Sequence, residues 1–149
     1  MKKNMVVKER MAEDVKYKDY IIKADRRYAE THEWIKLLED NRARIGISDY
    51  AQKKLKNVVY AEPVEEGASF RKGELITTVE SIKAVGEIYA PVDCKVTKYN
   101  EKLDDDPSLI NTDPYGEGWI VEVEVEDPSQ IDELLTAEQY VEKVIKKEE

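Results

Sequence analysis

Residues 77–91 read Thr77-Thr78-Val79-Glu80-Ser81-Ile82-Lys83-Ala84-Val85-Gly86-Glu87-Ile88-Tyr89-Ala90-Pro91, two strand-like runs meeting around one lysine. β-Branched and aromatic residues fit a pleated surface, and two short runs of them bent back at polar residues predict a hairpin. Lys83 falls at its tip. Such a tip protrudes on two rigid arms, so a modifying enzyme can reach the amine while it reads the backbone around it. The same pattern also fits an ordinary solvated lysine in a turn. Spacing by itself leaves both open.

Outward from this stretch the chain repeats the theme of short strands between turns. Residues 58–61, 74–80, 88–91 and 94–99 are strand-like and bounded by Gly, Pro, Asn or Asp, which predicts a sandwich or barrel. Residues 34–38 and 43–47 are joined by Glu39, Asp40 and Asn41, the turn chemistry of a hairpin. Over 119–126, Val121, Val123 and Val125 alternate with Glu122, Glu124 and Glu126, so one face of that strand meets water. Ser48 before Asp49 supplies a cap hydroxyl and an early acid for a short helix over 49–55, ending by 57. Asp127, Pro128 and Gln130, then Thr136 with Gln139, open two C-terminal helices ending near Lys147. On the later one Tyr140, Val141, Val144 and Ile145 form an apolar stripe. Residues 1–26 lack cap signals and a sustained period and are expected to be an N-terminal extension to a domain spanning 27–149. Tyr17, Tyr20, Ile21 and Ile22 either pack that extension onto the domain or fray with it as a charged tail.

Composition narrows the function. The 149 residues carry 33 acidic and 24 basic side chains, a formal charge of -9. That charge repels nucleic-acid phosphates and anionic membrane surfaces and favours protein partners with basic patches. The single cysteine, Cys94, and single histidine, His32, cannot complete a disulfide or the usual four-ligand zinc cage. No secretory signal or long apolar run is evident, so a cytoplasmic protein is expected. No nucleophile with a matching base stands out, which argues against an enzyme.

Beyond residue-level reasoning, Val79-Glu80-Ser81-Ile82-Lys83-Ala84 followed by Ile88-Tyr89-Ala90-Pro91 resembles the lipoyl-attachment motif of glycine cleavage H proteins. Tyr28 with Thr31-His32-Glu33-Trp34 is similar to the opening motif of that family, and Ile45-Gly46-Ile47-Ser48-Asp49-Tyr50-Ala51-Gln52 to its first helix. Asn100-Glu101, Pro107-Ser108-Leu109-Ile110-Asn111 and Asp113-Pro114-Tyr115-Gly116-Glu117-Gly118-Trp119 resemble the segment beyond the attachment hairpin. The motifs fall in the family's order across residues 27–140.

The resemblance implies a mainly β barrel-sandwich hybrid, like lipoyl and biotinyl domains, and a non-catalytic carrier with lipoate on Lys83. Glu80, Ser81 and Ala84 would form the tip that a lipoate ligase or octanoyltransferase reads. An arm of about ten bonds reaches on the order of 14 Å. In the family the arm visits glycine decarboxylase (P protein), a tetrahydrofolate-dependent aminomethyltransferase (T protein) and dihydrolipoamide dehydrogenase (L protein); the carrier is expected to be a monomer. Thr31, Glu33 and Glu87 match the positions that line the family's cleft for the loaded arm, although Glu33 and Glu87 also fit solvated strand ends. His32 is read as a packing residue and left out of the site.

This chain departs from the family pattern at Ala61-Glu62-Pro63-Val64-Glu65-Glu66-Gly67, at Lys56-Asn57 where a Gly-Asp is usual, and at Cys94 in place of a turn glycine. Cys94 is then either a reactive thiol or a structural one. Two other functions share these residues: a lipoate carrier for another pathway, such as sulfur oxidation or lipoate relay, and an unmodified interaction module of the same fold.

Overall fold

The computed structural model describes residues 13–149. The chain opens with a small hairpin, β1 (Val15–Tyr17) and β2 (Tyr20–Ile22), which forms a two-stranded sheet of its own. Next come β3 (Arg27–Tyr28), β4 (Glu33–Leu37), β5 (Arg42–Ile47), helix α1 (Asp49–Leu55) and β6 (Val58–Ala61). β7 (Ser69–Phe70), β8 (Leu75–Ser81), β9 (Val85–Tyr89) and β10 (Cys94–Tyr99) follow. Two single-turn helices, α2 (Lys102–Asp105) and α3 (Leu109–Thr112), lead to β11 (Val121–Val125) and α4 (Ser129–Asp132). The chain ends in α5 (Ala137–Tyr140), a π-helical stretch (Val141–Ile145) and α6 (Lys146–Glu148).

The six-stranded sheet runs in the order β3-β4-β5-β11-β10-β7, and the three-stranded sheet runs β6-β8-β9. Each neighbouring pair is antiparallel. The core between them takes residues from both sheets: Ile35, Ala43, Ile45, Val121 and Val123 from the larger, Val58, Val79 and Ile88 from the smaller. Strand alternation puts them there: Val121, Val123 and Val125 are buried while Glu124 faces solvent, as period two requires. The sheets pack without closing into a barrel, so the fold is mainly β with short helices and of the lipoyl-domain-like kind.

Several local devices set the register. Asp40 and Asn41 both have positive φ, at 55° and 63°, the two-residue turn whose twist matches that of the flanking strands β4 and β5. Opposite Trp34 across this hairpin stands Gly46, where an added Cβ would lie 2.5 Å from the indole ring. Only glycine lets the ring lie flat on β5, from where the indole N–H donates to the Pro114 carbonyl at 3.1 Å. Ser48 caps α1 by accepting from the Ala51 N–H at 3.1 Å. At the other end of α1, Asn111 joins helix to sheet, accepting from the Val58 N–H at 2.8 Å and donating to the Lys56 carbonyl at 2.6 Å.

Three expectations are corrected. The strand placed at 88–91 spans Val85–Tyr89, because Glu80 pairs directly with Val85 and leaves only a tight turn. The helix expected from Asp127 is one turn, with Asp127 bonding the Ser129 N–H and hydroxyl just before it. The later C-terminal helix has the capping box of Thr136 and Gln139, but is interrupted by the π-helical stretch. Of the extension at 1–26, residues 1–12 lie outside the described residues. The β1–β2 hairpin packs on the domain: Ile22 is fully buried, the Ile21 N–H donates to Asp49 at 2.9 Å, and the Tyr115 hydroxyl donates to the Ile21 carbonyl at 2.7 Å. Among the described residues no helix is long and apolar enough to cross a membrane.

Candidate functional site

Lys83 stands in the turn between β8 and β9, exposed together with Ile82 and Ala84. Buried Ser81 closes that turn with both its backbone and its side chain. Its N–H donates to the Ala84 carbonyl at 2.8 Å, and its hydroxyl accepts from the Ala84 N–H at 3.0 Å. The Ile82 N–H reaches across to the Asn57 carbonyl at 3.2 Å, tying the tip to the segment after α1. On the outer face, Tyr60, Glu80 and Val85 lie in one cross-strand row, each exposed. Ile82 adds an apolar side chain 71% exposed. The amine therefore protrudes from a braced turn and is flanked by a small apolar surface with one carboxylate.

A cleft of about 250 Å³ begins three residues beyond Lys83. Its apolar lining comes from Ile47, Ala51, Leu55, Gly86 and Ile88, its polar lining from Thr31, His32, Tyr50, Lys54, Glu87 and Glu148. Gly86 permits the close approach of α1: a Cβ there would lie 3.0 Å from a Leu55 methyl. The apolar walls suit a hydrocarbon chain, and the carboxylates suit a cation at its end.

Glu33, at the start of β4, is fully buried. Its carboxylate accepts from the Thr31 hydroxyl and from the Tyr89 N–H, the latter at 2.9 Å, so it bridges the β3–β4 turn to the end of β9. Burial pushes its pKa up to about 7, against the opposing effect of these hydrogen bonds. Among the described residues no cation pairs with this buried carboxyl. Thr31 lines this cleft and also a larger cavity of about 540 Å³ bounded by Tyr28, Tyr89, Pro91 and Leu134. Glu87, by contrast, is exposed and accepts from the Tyr89 hydroxyl at 2.7 Å. Of the two carboxylates that also fitted solvated strand ends, Glu87 is solvated and Glu33 is not.

His32, left out of the site on sequence grounds, lines the cleft. It has φ 84°, in the left-handed region. Nδ1 lies 2.6 Å from the Tyr140 hydroxyl, which is 2.6 Å from Ser48 Oγ; Nε2 lies 3.0 Å from Glu148. Burial lowers the His32 pKa. A neutral ring then donates from Nε2 to Glu148 and accepts at Nδ1 from Tyr140. Tyr50, Lys54 and Glu148 were also missed, since nothing local in the sequence links 148 to 32. Cys94 is fully buried at the start of β10, and burial pushes its thiol up to about 12, which makes it a structural residue rather than a reactive one.

A mainly β domain with a lysine at a braced hairpin tip, beside a cleft of mixed character, is a carrier domain of the lipoyl type in its fold. The model of the glycine cleavage H-protein family matches residues 26–148, and the chain belongs to that family. Its members are carrier subunits rather than catalytic enzymes. Among relatives, a probable glycine cleavage system H protein of Aeropyrum pernix is 52% identical over 130 residues, 87% of this chain and 90% of the relative. Glycine cleavage system H protein 4 of Aquifex aeolicus is 42% identical over 130 residues, 87% of this chain and 75% of the relative. The crystal structure of a glycine cleavage system H protein from Mycobacterium marinum is similar with a TM-score of 0.75 at 35% identity, covering 82% of this chain and 98% of that one.

Proposed function

We propose that this chain is the lipoyl-lysine carrier of a glycine cleavage system, with lipoate joined in amide linkage to Lys83. When bound, the lipoyl group supplies a disulfide that accepts an aminomethyl group and electrons from glycine decarboxylase, for delivery to the aminomethyltransferase and dihydrolipoamide dehydrogenase. The observation that carries this reading is the exposed Lys83 on a turn closed by Ser81, next to the cleft between β9 and α1.

The protein's own residues attach, seat and shield. Glu80, Ser81 and Ala84 present one backbone shape to a lipoate ligase or octanoyltransferase, with Tyr60 and Val85 as apolar contacts beside it. An arm reaching on the order of 14 Å enters the cleft, since Gly86 and Glu87 lie three and four strand residues beyond Lys83, about 10–13 Å away. Ile47, Leu55 and Ile88 take its hydrocarbon part. Thr31 and Glu87 hold an ammonium at its end from the cleft lining, and Glu33, sealed beneath it and bonded to the Thr31 hydroxyl, acts from behind: a positive charge nearby offsets the burial that raises its pKa and favours its ionised form. The walls exclude water from the bound end. The carrier works as a cytoplasmic monomer, its domain spanning residues 27–149 with 1–26 as an added segment.

Intact mass after coexpression with a lipoate ligase and lipoate tests the attachment. The native chain is expected to gain about one lipoyl group and Lys83→Arg none. Absence of a gain in the native chain with an active ligase makes it an unmodified module. A lipoylated chain that glycine decarboxylase does not recognise makes it a carrier for another pathway.

A further inference from the structure

We infer that Glu148, near the C-terminus, is an additional carboxylate of the arm cleft, one that holds the cationic end of an amine-bearing arm at the cleft mouth. The inference rests on the carrier reading and extends it to a residue far from the attachment hairpin in sequence. Glu148 lines the same cleft as Glu87 and Lys54, so the charged groups at this mouth are two carboxylates and one ammonium. The excess of negative charge favours a cation there.

The C-terminal helix is built to aim this side chain. In a regular α-helix, residues eight apart stand roughly 80° out of line. The π-helical stretch Val141–Ile145 advances the chain by less per residue, because i→i+5 bonding widens the turn. Tyr140 and Glu148 thereby reach the same imidazole, Tyr140 at Nδ1 and Glu148 at Nε2. Two donors fix the carboxylate, His32 on one oxygen at 3.0 Å and the Tyr50 hydroxyl on the other at 3.4 Å. A carboxylate has about four acceptor positions, so two remain for a ligand, and the Glu148 side chain is 46% exposed. The next residue, Glu149, is pinned to the β1–β2 hairpin by Lys18 at 2.7 Å and the Tyr17 hydroxyl at 3.1 Å. Residues before the family match thus brace the cleft wall from outside.

The experiment uses stable arms. Lipoylated protein is reduced and its arm thiols are alkylated with bromoethylamine, which puts primary ammonium groups at the arm end, or with iodopropane, which gives a neutral arm of the same length. Amide resonances of Gly86 and Ile88 report docked against free arm in the native chain, Glu148→Gln and Glu138→Gln. The ammonium arm is expected to dock in the native chain and in Glu138→Gln, a substitution of an exposed acid on the same terminal segment. In Glu148→Gln the docked-to-free ratio falls about fivefold for that arm only, the loss of one charge-assisted hydrogen bond. An unchanged ratio overturns the inference, as does an equal fall for both arms, which makes Glu148 a structural prop. Intact mass separates the two levels. If no lipoyl adduct forms on the native chain, the carrier reading and the inference fall together; an adduct whose docking ignores Glu148→Gln sinks the inference alone.

Discussion

Glu33 shows at the scale of one residue how burial and charge oppose each other. Its carboxyl is raised to about 7 in the folded chain, above the ordinary value near 4.5, so the folded state holds a proton that the unfolded state releases between these values. The contribution of Glu33 to stability is therefore full below pH 4.5 and is lost as pH rises through 7. Glu33→Gln removes that dependence. Urea unfolding at pH 5 and pH 8 is expected to show the variant gaining on the native chain by about 2–3 kcal/mol across the interval. A constant difference would mean that Glu33 does not titrate there. Gly46 carries a steric constraint instead: Gly46→Ala drives a methyl into the Trp34 ring and is expected to cost about 1–3 kcal/mol in the same assay. Both residues were visible in the sequence as members of ordered motifs. The burial of Glu33 was not, because it is set by tertiary packing: its carboxylate bonds the Tyr89 N–H, 56 positions away.

Among elements, the attachment hairpin was the most legible and the C-terminal helix the least. Two β-branched runs around a polar turn specify a hairpin locally, and β8 and β9 follow, shifted by the tightness of the turn at 81–84. Ser81→Ala deletes the hydroxyl that accepts from the Ala84 N–H and loosens the tip by about 1 kcal/mol. Lipoylation followed by intact mass is expected to slow while the melting temperature moves little. Lys56 ends α1 at φ 64° and ψ -142°, a region costly for any residue with a Cβ. Lys56→Gly should stabilise the chain by about 1 kcal/mol, read as a higher melting temperature. The π-helical stretch has no signal in the helical spacing of Tyr140, Val141, Val144 and Ile145, all buried as that spacing predicts. Its consequence is tertiary: Tyr140 and Glu148 both bond His32.

For the whole molecule, the β1–β2 hairpin is a brace rather than a loose tail over its described residues. Tyr20 meets Tyr50 edge to face with ring centroids 4.9 Å apart, Ile22 is sealed in a second core cluster with Tyr28, Trp34, Tyr50 and Tyr140, and Asp49 and Tyr115 hold the Ile21 backbone. Deleting residues 1–24 exposes that cluster, and burial of Ile22 alone is worth about 1.5–3 kcal/mol. The melting temperature is expected to fall by several degrees, with lipoylation of Lys83 retained; an unchanged melting temperature would show that the hairpin contributes nothing. The sequence by itself determined the strand alternation, the turn at Asp40-Asn41, the caps at Ser48 and Thr136 and the lysine at a hairpin tip, because each depends on neighbours within a few residues. Only the tertiary structure decided which acids are buried and which meet water, that Cys94 is sealed, that the hairpin at 15–22 packs, and that His32 joins Ser48, Tyr140 and Glu148. Those outcomes depend on desolvation and on hydrogen bonds between residues up to 132 positions apart, which local periodicity does not encode.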